Sequence, residues 1–116
     1  MASAGDDLIF QIESGYGLLR ILAIDDAGGE RVWHLAAYNE LFFDIETADA
    51  ALLNAESLTV SIPHVALTTR AFEATQTARM TNVSLTDAEL KPLEEWRQNA
   101  SAEVSDRSIR LLMGLR

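Results

Sequence analysis

Between two glycine-bearing turns the chain runs Leu18-Leu19-Arg20-Ile21-Leu22-Ala23-Ile24, and this segment constrains the fold more than any other. Successive side chains of a strand point to opposite faces. Leu18, Leu22 and Ile24 lie on one face, and Leu19, Ile21 and Ala23 on the other. A strand that needs cover on both sides is central in a sandwich or barrel, not an edge. Ser14-Gly15-Tyr16-Gly17 before it and Asp25-Asp26-Ala27-Gly28-Gly29 after it are turn signals, because glycine accepts the positive φ of tight hairpins.

The neighbours alternate in the manner of half-buried strands. Asp7 to Glu13 places Leu8, Phe10 and Ile12 on one side. Arg31 to Asn39 sets Val32, His34, Ala36 and Tyr38 against Trp33, Leu35 and Ala37, and Leu41 to Glu46 repeats the pattern as a further strand. Short turns between successive strands make an antiparallel meander. Ala48 to Asn54 favours a short helix by composition. Leu58, Val60 and Ile62 start another strand, which Pro63 must end or place at an edge. A helical turn over Thr69 to Thr75 and a short strand near Arg79 to Ser84 follow.

Thr86-Asp87-Ala88-Glu89 matches the capping box, in which hydroxyl and carboxylate satisfy orphan amides reciprocally. Leu90, Leu93 and Trp96 then recur at helical spacing, with Pro92 either kinking the helix or opening a second one. Ser105-Asp106 caps a final helix ended by Gly114, with Ile109, Leu112 and Met113 as its apolar face; the same residues also alternate as a strand. At 116 residues the chain is one domain. Residues 1–6 are expected to be flexible, 7–84 to form a β-rich barrel, and 86–116 a helical C-terminal segment. The fold class is α+β with β dominant: a small antiparallel meander or SH3-like barrel with one or two C-terminal helices.

Charge divides unevenly. Residues 1–58 carry eleven acids against two bases, giving 2 − 11 = −9, whereas residues 59–116 carry seven of each and sum to zero. Phosphate backbones and anionic lipid surfaces are repelled by such a chain, since binding them relies on clustered Lys and Arg. Neither nucleic acid nor membrane is therefore an expected partner. A basic protein partner is attracted and steered in faster at low salt. The residues expected to meet it are Asp25, Asp26, Glu30, Asp44, Glu46 and Asp49, on one anionic surface. Cysteine is absent, which removes disulfides and thiolate metal sites. With no basic, apolar leader in Met1 to Asp7, a cytoplasmic location is expected.

Catalytic motifs are sparse. His34 and His64, with Asp44 and Glu46, could be drawn as a two-histidine, one-carboxylate metal site, but no His-x-His or His-x-x-x-His pair supports it. There is no Gly-x-Ser-x-Gly elbow, dinucleotide fingerprint or EF-hand loop. No cofactor is expected. Tyr16, Trp33, Tyr38, Phe42, Phe43 and Phe72 could stack bases, yet the companion basic groove is missing. The segment Arg107 to Arg116 carries three arginines and no acid; it can dock on the acidic half of its own chain or of a second copy.

Gly5-Asp6-Asp7-Leu8-Ile9-Phe10 followed by Gly15-Tyr16-Gly17-Leu18-Leu19-Arg20-Ile21-Leu22 resembles the opening of bacterial immunity protein 26 and related small proteins. Asp87-Ala88-Glu89-Leu90 followed by Trp96 is similar to a pattern near their end. The resemblance implies an SH3-like barrel and a toxin-neutralising role. The function expected is a non-catalytic protein-binding module, an immunity-type inhibitor of a basic partner. One alternative is a small enzyme using His34 or His64 with Asp44 or Glu46. Another is a self-associating structural protein, a homo-oligomer joined through Ile109, Leu112 and Met113.

Overall fold

A computed structural model describes residues 2–115. Met1 and Arg116, which belong to the expected flexible start and the basic tail, lie outside the described residues. Five strands form one antiparallel sheet in the order β4-β3-β2-β1-β5. They are β1 (Asp6–Ile12), β2 (Gly15–Ala27), β3 (Glu30–Phe42), β4 (Val60–Thr68) and β5 (Thr77–Asn82). Four short helices accompany them: α1 (Ile45–Leu52), α2 (Thr69–Glu73), α3 (Asp87–Gln98) and α4 (Ile109–Leu112). The fold is thus the expected α+β meander; β4 and β5 are the two ends of an open sheet. Among the described residues no helix is long and apolar enough to cross a membrane.

The strand with apolar residues at both parities is the middle one. One face of the sheet carries Leu8, Phe10, Leu19, Ile21, Trp33, Leu35 and Leu67, sealed by Ala71 of α2 and Ile109 of α4. The other carries two smaller clusters. Ile9, Leu18 and Tyr38 pack under Ala48 of α1, while Leu22 and Ala36 pack under Leu93 of α3. Ile109 is buried and Leu112 and Met113 lean on the same core, so the three residues considered for self-association pack within their own chain.

Of the two glycine turns, the second falls on its glycines and the first does not. Gly28 and Gly29 both have positive φ and make the two-residue β2–β3 turn. At the first hairpin the turn is Glu13-Ser14 instead, and Gly15 to Gly17 already belong to β2. Gly17 stands opposite Phe10, whose ring lies over the bare Cα: a Cβ there would come 2.5 Å from Phe10 Cζ. Since Phe10 is buried and has nowhere to retreat, Gly17→Ala should destabilise the protein by about 1–3 kcal/mol. Urea titration measures this, and a cost near zero would mean the ring moves freely.

Elsewhere the tertiary fold alters what local pattern suggests. No separate strand runs from Leu41 to Glu46: β3 continues to Phe42, and α1 starts at Ile45. The reason is Asp44, whose carboxylate accepts from Thr47 N at 2.7 Å and caps the helix. For Pro63 the second of its two alternatives holds: β4 runs on through it to Thr68 and is an edge strand, where a missing N–H is tolerated. The start of the chain is pinned, because Gly5 N donates to Ile21 O and Gly5 O accepts from Val83 N. Pro92 sits inside α3, which continues through it, and the cap of α4 is Ser108 rather than Ser105. Ser105 instead bridges to Leu67 on the β4 edge.

Candidate functional site

The sheet face that carries α1 and α3 is not fully covered by them. Between the two helices lies a cleft of about 800 Å³. Its floor is Asp7 from β1, Arg20 and Leu22 from β2, and Ala36 and Tyr38 from β3. One wall is Leu52, Leu53 and Leu58, at and after the end of α1. The opposite wall is Ala88, Glu89 and Pro92, from the N-terminal half of α3. Apolar walls around a few convergent polar groups are the usual make-up of a binding site.

Arg20 organises the floor. It is only 4% exposed, in the most apolar strand of the chain. Its Nε donates to Glu89 Oε2 at 2.8 Å and its Nη1 to Gly5 O at 2.6 Å. Nη1 also faces Asp7 Oδ2 at 3.4 Å, and Nη2 donates to Val83 O, Ser84 O and Glu89 Oε1. All five guanidinium donors are therefore engaged within the chain. Glu89 closes the capping box at the same time, through Thr86. One arginine thus ties the N-terminal turn, the exit of β5 and the start of α3 to the central strand.

Burial raises the pKa of Asp7, against the lowering effects of the Thr81 hydroxyl and Arg20. Burial likewise raises Glu89, but hydrogen bonds from Arg20 and Thr86 win and hold it low. The Tyr38 phenol is pushed up to about 12 by burial and by the Asp7 carboxylate, so it keeps its proton at neutral pH.

The rim is apolar, with Glu56 as its one acid from the stretch between Arg31 and Arg70. Leu53 is 86% exposed, and Val60 and Val83 are exposed beside it. Outside the cleft Phe43 is 91% exposed, with Leu41 and Ile45 exposed nearby in sequence. Between Arg31 and Arg70 the chain has no lysine or arginine and five acids: Glu40, Asp44, Glu46, Asp49 and Glu56. Glu40 and Asp44 are held ionised by hydrogen bonds from Thr59 and Thr47.

The six acidic residues singled out in the sequence therefore fall into two groups. Asp44, Glu46 and Asp49 are exposed at α1. Asp25, Asp26 and Glu30 lie at the far end of β2 and β3, where Arg97 bonds Asp25 at 2.7 Å and Arg31 faces Asp26 at 3.5 Å. Asp6 also faces Arg79 at 3.9 Å. The negative charge of residues 1–58 is thus partly cancelled; among the described residues Glu13, Glu30 and the five acids from Glu40 to Glu56 make no ion pair.

The two histidines, thirty residues apart, meet across the β3–β4 pairing. His34 Nδ1 and His64 Nε2 are 2.9 Å apart, and His34 Nε2 is 3.0 Å from Asp25 Oδ2. The carboxylate accepts, so His34 carries its proton on Nε2 and accepts from His64 through Nδ1. The carboxylate partner is Asp25; Asp44 and Glu46 are at the other end of the strands, at the start of α1. Trp96 and Arg97 of α3 cover the group, Trp96 edge-on to His34 at 4.9 Å. The ring centroids of the two histidines are 5.2 Å apart and nearly coplanar, an end-to-end hydrogen bond rather than two lone pairs converging on an ion. Among the described residues no group of three or more His, Asp or Glu side chains is arranged to hold a metal. The aromatics considered for base stacking are mostly internal: Trp33 stacks on Phe72 at 4.1 Å, and Tyr16, Tyr38 and Phe42 pack beneath α1.

Fold and site together define a small α+β protein with an open five-stranded antiparallel sheet and, on one face, an apolar cleft whose lining includes the carboxylates of Asp7, Glu56 and Glu89. No family model, curated protein or solved structure matches the chain.

Proposed function

We propose that this protein is a non-catalytic protein-binding module whose cleft receives an apolar, positively charged segment of its partner. The observation that carries the reading is the cleft of about 800 Å³ whose exposed lip, Leu53, Val60 and Val83, adjoins a stretch of chain with five acids and no base. Exposed apolar side chains that line a groove mark interaction surfaces, and a surrounding field of one sign selects the partner's charge and speeds its approach. An amphipathic helix laid into a groove is one familiar form of such recognition. The resemblance to bacterial immunity protein 26 supports the same reading, since neutralising a toxin by binding it is one use of such a surface.

The histidine chain favours an enzyme only in part. A carboxylate–imidazole relay is a general-base device, but this one lies under the C-terminal end of α3, while the cleft is lined by the N-terminal half of that helix. It reads better as a fastening for α3.

The test uses a short amphipathic peptide of leucine and lysine and its leucine–glutamate counterpart, followed by fluorescence anisotropy. The lysine peptide should bind, with an association rate that falls as salt rises, and the glutamate peptide should not. Leu53→Glu separates the cleft from mere charge. It adds a negative charge but spoils the apolar lip, so binding in the cleft weakens about tenfold or more. Tighter binding by Leu53→Glu, or equal binding of both peptides, would overturn the proposal.

A further inference from the structure

The floor of the cleft carries one hydroxyl that the chain leaves without a partner. Tyr38 is 7% exposed, held in a cluster with Ile9, Leu18 and Ala48. Among the described residues no group hydrogen-bonds its phenol oxygen, which feels only burial and neighbouring charges. The unpaired side-chain oxygens sealed from every probe are Asp7 Oδ1 and Thr75 Oγ1. The phenol oxygen is not one of them, so it opens on the cleft that Tyr38 lines. It keeps its proton at neutral pH and is therefore a donor. Ser84 also lines the cleft with a hydroxyl, but it is exposed and water serves it. The Thr86 hydroxyl is already bonded to Glu89.

No charged group of the cleft is free to hold an ion. Every N–H of Arg20 is engaged within the chain, so a carboxylate or phosphate finds no guanidinium edge. Three carboxylates, Asp7, Glu56 and Glu89, line the cleft with that one arginine and repel an anion further. A cation fares no better at the floor. Asp7 Oδ1 is sealed, its Oδ2 is taken by Thr81 and Arg20, and Glu89 is taken by Arg20 and Thr86. A cation there would give up its water for a single phenol oxygen. The rest of the lining is mostly aliphatic, with Leu22, Ala36, Leu52, Leu58, Val60 and Pro92. At about 800 Å³ the cleft falls within the roughly 300–1,000 Å³ of small-molecule sites.

We propose that the cleft binds a neutral, largely apolar small molecule whose carbonyl oxygen accepts from the Tyr38 hydroxyl. The partner-binding reading rests on the exposed lip of Leu53, Val60 and Val83; this one rests on the floor and stands or falls separately. The body of the ligand replaces water along the aliphatic walls, and its carbonyl meets the one open donor beneath them. A carbonyl suits the place better than a hydroxyl. Its oxygen accepts without bringing a donor of its own to carboxylates that are already occupied.

The test uses four probes of similar shape on the intact protein: benzophenone, 1,1-diphenylethylene, diphenylacetate and diphenylmethylammonium, followed by the methyl NMR shifts of Leu52 and Leu58. Diphenylethylene replaces the carbonyl oxygen of benzophenone by CH2, so the pair isolates the hydrogen bond. Benzophenone should bind and shift both leucines, and each ion should bind about tenfold or more weakly. Tyr38→Phe keeps the ring and removes the donor. It should move the ratio of benzophenone to diphenylethylene affinity about fivefold towards the hydrocarbon, the size of one net hydrogen bond, and leave diphenylethylene binding as it was. An unmoved ratio in Tyr38→Phe, or either ion bound more tightly than benzophenone, refutes the carbonyl assignment. If none of the four binds, the small-molecule site is refuted, while the partner reading is decided by its own peptides.

Discussion

Replacing Arg20 by methionine should cost about 3–5 kcal/mol, the range measured when one partner of a buried ion pair is removed. The residue is 4% exposed and holds two carboxylates and three backbone carbonyls. Methionine fills much the same space, so the loss is not a cavity. It is the abandonment of Asp7 beneath the cleft and of the carbonyls of Gly5, Val83 and Ser84. Against the 5–15 kcal/mol that stabilises a typical domain, this is a large share, and melting should fall by roughly 10–20 °C. Lysine should not rescue, because one ammonium cannot reach acceptors on three separate segments. Adding Glu89→Gln should recover part of the loss, since the two residues are bonded and their effects cannot add. A cost below about 1 kcal/mol, or strict additivity with Glu89→Gln, would show that the network does not hold the fold together. Hydrogen exchange should locate the damage in the amides of Gly5 and Val83, the two that pair the N-terminal turn to its neighbours.

Arg20 also shows how the sequence can be read more closely. A lone arginine among Leu18, Leu19, Ile21 and Leu22 cannot be exposed if the strand is covered on both faces, so it must be buried and bonded. The central place of that strand followed from its apolar parities; the residues that answer Arg20 did not. Asp7, Glu89 and the three carbonyls come from β1, the capping box, the N-terminal turn and the exit of β5, and only the tertiary fold brings them together. The capping box was legible because Thr86 and Glu89 are three residues apart and satisfy each other locally. The glycine pair of the second hairpin was legible for the same reason. At Leu41 to Glu46 two local signals competed. Alternation pointed to a strand, but Asp44 three residues before Thr47 formed a cap, and the cap prevailed once β3 reached the sheet's end.

The cleft lay beyond local pattern altogether. Leu53, Val60 and Val83 are unremarkable until α1 and α3 stand apart over one sheet face. Charge counted along the chain does not reveal that Arg97 returns to Asp25 or Arg79 to Asp6. The histidines illustrate the same limit. His34 and His64 are thirty residues apart, and their meeting depends on a β3–β4 register that shifts between Leu35 and Ala37.

That meeting predicts how stability varies with pH. Burial holds His34 below the ordinary imidazole value of about 6.5, against the upward pull of Asp25. Burial, with the neighbouring charges of His34 and Arg97, depresses His64 to about 4. The folded pair is therefore neutral where an unfolded histidine would already be protonated. Because the unfolded chain binds more protons in that window, stability is complete above about pH 6.5 and falls as pH drops towards 4. For His64 alone the loss at pH 4.5 is about 2–3 kcal/mol. The groups facing the pair decide which way the structure gives. Asp25 offers one negative charge, but it already carries Arg97, and a proton on His64 brings a cation towards that guanidinium. The contact that should loosen first is the C-terminal end of α3, where Trp96 lies against both rings. Urea titrations at pH 7.5, 6 and 4.5 measure the slope, and Trp96 fluorescence reports the helix end. In His64→Gln the slope between pH 6.5 and 4.5 should flatten markedly, leaving the smaller share due to His34. A wild-type protein as stable at pH 4.5 as at 7.5 would mean that the imidazoles accept protons without disturbing the helix laid over them.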